Sequence, residues 1–224
     1  MMKVGPLLCA LLLAGVAPPR LAAQSLADVC KAVITTRVGQ WASFDATGGR
    51  SGGGKLRLAI VGSERAGDST LYWFEMSFAG NDPSRSAILQ LLTSGLGTSD
   101  ARARAVIVKY GGQPAMKVSG AMADMLSTGL GRNNPAADWT ARCTATHVVG
   151  WESVTVPAGT FRALHATADS GGEAWASPDV PFGFVKIHGK DGDLALTGRG
   201  MDAKTSLTET PLDMPLLPGM MKKP

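Results

Sequence analysis

The chain has 224 residues, 45% of them hydrophobic and 6% aromatic, and carries 22 Lys and Arg against 18 Asp and Glu for a formal net charge of +4. No basic block with interleaved aromatic residues accompanies that charge, which argues against a nucleic-acid partner. Glycine is frequent, at 28 residues, and this is typical of a turn-rich antiparallel sheet.

The first 23 residues follow the order of a secretory signal peptide. Lys3 precedes an apolar run over 4–16, and the small residues Ala22 and Ala23 follow it. That run is shorter than the roughly 20 apolar residues of a membrane-spanning helix. Loss of residues 1–23 would remove two basic residues, Lys3 and Arg20, and leave a charge of 20 − 18 = +2. We expect an exported, periplasmic, soluble and monomeric domain over 24–224 that does not span a membrane.

The predicted elements begin with a helix over 26–34, because Ser25 and Asp28 have capping-box spacing. Alternating apolar residues then predict strands over 38–46, 55–63, 71–79, 103–110 and 115–119. Asp82 and Pro83 predict the start of an apolar helix over 84–96, and a Met-rich segment predicts a second over 121–130. From residue 144 onward the chain is almost wholly strand and turn. The sum is a mainly β (α+β) domain with about ten strands and two or three short helices.

The glycine-rich stretch 47–56 (TGGRSGGGKL) has two catalytic interpretations. Gly49, Gly54 and Lys55 have the spacing of a phosphate-binding loop, and Gly49-x-Ser51-x-Gly53 is similar to a nucleophile elbow. Both motifs require a helix to follow, whereas the residues after Lys55 alternate like a strand. Leu56 also occupies the position of the magnesium-binding Ser or Thr. We therefore predict the tip of a β-hairpin.

Two cysteines follow residue 23, Cys30 and Cys143. An isolated pair in an oxidising compartment favours a disulfide over a metal site or catalytic thiol, with two separately buried thiols as the alternative. The three histidines, His147, His165 and His188, lie in separate predicted strands and lack metal-ligand spacing. Asp191 and Asp193 flank a glycine as in a hairpin turn. We expect no metal, no cofactor and no enzyme activity, while a hydrolase with a Ser-His-Asp triad assembled from distant positions stays as a further alternative.

The second half carries a recognisable pattern. Val156-Pro157-Ala158-Gly159-Thr160-Phe161 is followed by Trp175-x-Ser177-Pro178-Asp179-x-Pro181-Phe182-Gly183-x-Val185-Lys186. Within about residues 151–197, this pattern resembles exported bacterial proteins of the LolA/LolB-like lipoprotein-sorting superfamily. The resemblance implies a strongly curved, unclosed antiparallel half-barrel around an apolar cavity, with short helices covering it. Pro157 and Gly159, like Pro181 and Gly183, also have a purely structural interpretation as turn residues.

Apolar side chains on the predicted strands and helices are the candidate ligand-binding residues. A concave sheet covered by uncharged helices would form an apolar site, and methionine suits an adaptable one. The candidates are Leu58, Ile60, Phe74, Met76, Phe78, Ile88, Leu91, Leu92, Met122 and Met125. The expected function is that of a non-enzymatic carrier of an acyl chain or of a lipidated protein's lipid. The alternative is an envelope interaction or structural module whose core is filled by its own side chains.

Overall fold

The computed structural model describes residues 25–48, 52–96, 103–120, 122–126, 143, 146–169, 171–190 and 192–214. The predicted signal peptide lies outside these residues. The first half contains helix α1 (Leu26–Ile34), β1 (Trp41–Thr47), β2 (Gly54–Ala66), β3 (Ser69–Gly80), a 3₁₀ turn (Pro83–Arg85), β4 (Ala87–Thr93), β5 (Ala105–Tyr110), β6 (Met116–Ser119) and helix α2 (122–126). The second half contains β7 (His147–Val156), β8 (Gly159–Thr167), β9 (Glu173–Ala176), β10 (Phe184–Gly189), β11 (Gly192–Gly200) and β12 (Leu212–Asp213).

The strands form one sheet in the order β12-β6-β5-β4-β3-β2-β1-β11-β10-β9-β8-β7. Two antiparallel meanders, β1–β6 and β7–β11, are joined through the pairing of β1 with β11. Only β12 runs parallel to its neighbour among the described strands. The outermost strands β7 and β12 do not pair with each other, so the sheet is unclosed. The mainly β prediction is confirmed, with twelve strands among the described residues instead of about ten.

Helix α1 covers the predicted residues 26–34. The backbone N–H of Ser25 donates to the Asp28 carboxylate at 2.8 Å, and the Asp28 N–H donates to the Ser25 hydroxyl at 3.2 Å. These reciprocal bonds satisfy two N–H groups that would otherwise lack partners. The buried face of α1 includes Cys30, which is disulfide-bonded to Cys143 with a Cα–Cα distance of 5.8 Å. The predicted bridge is confirmed, and it closes a sequence separation of 113 residues.

The glycine-rich stretch is the tip of the β1–β2 hairpin, as predicted. Antiparallel pairing runs up to Ala46 and Gly54, and Gly48, Gly52 and Gly53 have positive φ angles that favour glycine. Residues 49–51 lie outside the described residues. Lys55 belongs to β2 and its Nζ lies 3.0 Å from Oδ1 of Asp45, its cross-strand neighbour. A strand follows the glycines where a phosphate-binding loop needs a helix N-terminus.

The predicted helix over 84–96 is wrong. Asp82 caps only the single 3₁₀ turn Pro83–Arg85, and Ala87–Thr93 is strand β4, paired with both β3 and β5. Short apolar runs do not distinguish helices from strands by periodicity, and a strand buried on both faces is apolar at successive positions. Both faces of β4 are partly covered, one by the apolar core and the other by the C-terminal segment.

The segment 202–213, here called the strap, crosses the face of β1–β5 opposite the main core and ends by pairing with β6. The indole N–H of Trp41 donates to Asp202 at 2.7 Å, and Lys109 forms an ion pair with Glu209 at 2.6 Å. Strand β12, at the end of the strap, pairs with β6. The strap therefore covers one face of the first meander with a chain that is mostly irregular.

Candidate functional site

Three cross-strand rows of side chains define the apolar face of β2–β6. Within each row, residues on adjacent strands are paired directly opposite each other, and all three rows lie on the same face of the sheet. The inner row is Ile60, Phe74, Leu91, Val106 and Val118. The middle row is Leu58, Met76, Leu89, Val108 and Met116. The outer row is Leu56, Phe78, Ala87 and Tyr110.

Burial falls from the inner row to the outer row. The inner row is buried except for a half-buried Leu91, whereas all five members of the middle row are half-buried. In the outer row, the side chain of Tyr110 is 65% exposed. Strands spaced about 4.8 Å apart make the middle row about 19 Å long. The middle and outer rows together form a partly exposed apolar surface, here called the shelf.

The protein's own side chains fill the inner end of this face. Met122 and Ala123 of α2 pack in the cluster that contains Val106 and Val118. The ring of Phe182, from the segment before β10, lies against the ring of Phe74 on β3, with the ring centroids 5.9 Å apart. Middle-row residues such as Leu89 and Val108 also pack against the α2 cluster, yet they remain half-buried.

The structure brings together most, but not all, of the predicted ligand-binding residues. Leu58, Ile60, Phe74, Met76, Phe78 and Leu91 share the apolar face, and Met122 of α2 packs against that face. Met125 of the same helix is 63% exposed.

Ile88 and Leu92 lie on the opposite face of the sheet, so their placement beside Leu91 was wrong. In a helix these residues would be close neighbours, whereas a strand alternates its side chains between two faces. Leu92 packs instead with Leu71 and Ala105 on the face that the strap partly covers.

A buried carboxylate on the strap face was not predicted. Glu75 is fully buried and accepts hydrogen bonds from Arg57 at 3.2 Å and from Gln90 at 2.7 Å. The Thr205 hydroxyl donates to it at 2.8 Å and the Ser206 backbone N–H at 3.0 Å. Both carboxylate oxygens are therefore satisfied, two of the donors coming from the strap. In the sequence, Glu75 lies at the alternating position of a solvent-facing strand residue. The only hint of a buried role is that this charged residue lies in a strand rich in aromatic residues.

Each histidine faces at least one carboxylate in the second meander. His147 lies 2.9 Å from Asp169, and His188 lies 2.5 Å from Asp193. His165 stacks on Trp175 with ring centroids 4.4 Å apart, and its Nδ1 lies 3.5 Å from Glu152. Among the described residues, no group of three or more His, Cys, Asp or Glu side chains is arranged to hold a metal ion.

The motif residues between β9 and β10 form a compact loop over 177–183. The Ser177 N–H donates to the Gly183 carbonyl at 2.7 Å, and the Gly183 N–H donates to the Val180 carbonyl at 2.9 Å. Phe182 and Gly183 both have positive φ angles, of 62° and 78°. This backbone turns the Val180 and Phe182 side chains into the main core. The motif has a structural role in this chain, as its proline and glycine content indicated.

No protein-family model matches the chain, and no curated protein matches it. Within the residues that the structure describes, none of the helices is both long and apolar enough to cross a membrane.

Proposed function

We propose that the protein is an exported, non-enzymatic carrier that binds the acyl chain of a lipid or of a lipidated protein along the shelf. The observation that supports this most directly is the middle row, where Leu58, Met76, Leu89, Val108 and Met116 are aligned across five strands and remain half-buried. The described residues leave this aligned apolar row partly exposed, so an apolar ligand can bind along it and remove its surface from water.

The energetics of this binding are favourable in order of magnitude. Each buried methylene contributes about 0.8 kcal/mol, so eight methylenes would contribute about 6 kcal/mol before the costs of association. Met76 and Met116 of the middle row have flexible, unbranched side chains that can adapt to ligands of different shape. The disulfide between Cys30 and Cys143 supports the exported location, because such bonds persist in oxidising compartments.

The resemblance to LolA/LolB-like proteins belongs to the same proposal. An unclosed, mainly antiparallel sheet with one apolar face is compatible with it. The short helix α2 against that face takes the position of a covering helix. We accordingly propose that the sheet is strongly curved, as in those proteins, and that its apolar face is the concave side that binds the acyl chain.

The test is uptake of a fluorescent fatty acid by delipidated protein. We expect saturable binding at micromolar concentration, which Met76→Gln weakens because it places a polar amide in the middle row at nearly constant length. Thr70→Gln is the matched control, because Thr70 lies on the same strand but is exposed and outside all three rows. Thermal unfolding of both variants verifies that they are folded. Absence of saturable uptake by the wild-type protein would contradict the proposal.

A second candidate is an envelope interaction module without a lipid ligand. The filling of the inner row by α2 and by Phe182 favours it, because the core there is already closed. Mass analysis of an organic extract from protein purified without detergent separates the two candidates. A co-purified acyl lipid in stoichiometric amount supports the carrier, and a lipid-free protein that takes up no fatty acid supports the module.

A further inference from the structure

A cleft lies at the other end of β1 and β2, away from the shelf. It is an open cleft of about 530 Å³ between α1, the turn before β1, the loop 177–183 and the end of β11. Its lining residues are Asp28, Lys31, Ala32, Thr35, Arg37, Gln40, Pro178, Asp179, Val180, Pro181, Arg199, Gly200 and Met201. The volume lies within the range of about 300–1,000 Å³ that is typical of small-molecule sites.

The walls of this cleft are held in place by local contacts. The side chain of Gln40 accepts a hydrogen bond from the Arg37 N–H at 3.0 Å and donates to the Thr35 carbonyl at 3.0 Å, which shapes the turn. On the facing wall, Gly183 packs so tightly against Val33 of α1 that the position has no room for a Cβ atom. The helix and the loop therefore form a site whose shape exists before any ligand binds.

Arg199 is oriented by two different contacts. One guanidinium nitrogen donates to the backbone carbonyl of Asp179, and the group lies over the ring of Phe161, 5.0 Å from its centroid. A guanidinium has five N–H donors in a rigid plane, so donors remain for a ligand on the cleft side. A cation that is already oriented loses less side-chain entropy when an anion binds.

The charges around the cleft sum to one positive charge. Lys31, Arg37 and Arg199 contribute three, and Asp28 and Asp179 subtract two, which leaves 3 − 2 = +1. The hydrogen bonds from Ser25 lower the pKa of Asp28, so its charge persists at neutral pH while its oxygens are engaged in capping α1. The remaining surface includes the half-buried Pro181 and the exposed side chain of Met201.

We propose that this cleft binds a small monocarboxylate with a compact apolar body. The carboxylate accepts hydrogen bonds from Arg199 in the fork-to-fork geometry that a guanidinium favours, with Lys31 and Arg37 adding charge from the facing wall. The apolar body packs against Pro181 and Met201. The site is independent of the shelf, and it assigns a binding role to Asp179 and Pro181 in the 175–186 motif.

The test measures the binding of phenylacetate to the full mature chain. NMR titration locates the site, and calorimetry gives the affinity. Phenylacetamide is the neutral control with nearly the same shape. We expect phenylacetate to saturate at millimolar concentration, with shifts confined to the cleft, and phenylacetamide to bind roughly tenfold more weakly or not at all, because the charge-assisted hydrogen bonds are lost.

Two substitutions give opposite expectations. Arg199→Met should weaken phenylacetate binding by roughly tenfold or more, whereas Asp179→Asn should strengthen it, because the backbone carbonyl that orients Arg199 is retained while a repelling charge is removed. The matched control is Arg162→Met, since Arg162 also stacks on an aromatic ring, that of Trp151 at 5.5 Å, but lies outside the cleft.

Equal affinity for phenylacetate and phenylacetamide would overturn the proposal, as would equal effects of the Arg199 and Arg162 substitutions. Unchanged or weaker binding by a folded Asp179→Asn variant would also overturn it, even if Arg199→Met failed to fold. Uptake of the fluorescent fatty acid at the shelf does not involve these residues, so the two proposals fail separately.

Discussion

Replacement of Glu75 by Gln tests the idea that one buried carboxylate fixes the strap to the sheet. The carboxylate accepts bonds from Arg57, Gln90, Thr205 and Ser206. A glutamine amide has one oxygen and one NH₂ group, so its NH₂ group would face N–H or O–H donors that now bond to the second carboxylate oxygen. The substitution also leaves Arg57 without its buried counter-charge. Breaking a buried pair by removing one partner costs about 3–5 kcal/mol. Because the Arg57 side chain is 24% exposed, we expect about 3 kcal/mol.

Thermal and denaturant unfolding followed by circular dichroism measure this loss. For a domain of this size, each kcal/mol lowers the Tm by about 2–4 °C, so the expected decrease is about 6–12 °C. Limited proteolysis provides a second measurement, because a released strap should be cut before the sheet unfolds. Glu64→Gln is the control, since Glu64 is an exposed acceptor for the Trp73 indole at 2.8 Å on the same hairpin. If Glu75→Gln is no less stable than Glu64→Gln, the assigned role of this carboxylate is wrong.

Three further predictions concern the bridge, the motif loop and the strap. Joint replacement of Cys30 and Cys143 by Ser should lower the free energy of unfolding by about 2–4 kcal/mol, because the open loop regains entropy in the unfolded chain; unchanged denaturant midpoints would contradict this. Gly183→Ala should cost about 2–4 kcal/mol, because it combines a positive φ with a clash against α1; a stability equal to that of wild type would show that the loop can shift away. The hydrogen bond from Lys109 lowers the pKa of Glu209 from its ordinary 4.5, so the strap should lose stability as the pH falls below that value. Hydrogen exchange should show a smaller loss in Lys109→Met than in the wild type, because the hydrogen bonds from Thr208 and the Ala115 N–H to Glu209 remain.

Local rules were sufficient wherever the deciding contacts lie close in sequence. The capping box placed α1 at 26–34 because Ser25 and Asp28 bond to each other across one turn. The glycines before Lys55 identified a hairpin tip because only glycine adopts those φ angles without strain. The pairing of Cys30 with Cys143 followed from cysteine count and compartment alone.

Tertiary structure decided everything that depends on what covers a face. The sequence of strand β4 predicts a helix because apolar residues occupy both of its faces. The strap that lies on one of these faces begins more than a hundred residues later in the chain. The same distance concealed Glu75, whose partners Thr205 and Ser206 are 130 and 131 residues away. The cleft is likewise assembled from α1, the 177–183 loop and β11, which meet only when β1 pairs with β11. Alternation along a strand determines which side chains share a face, but burial and charge pairing are set by segments that approach that face from elsewhere in the chain.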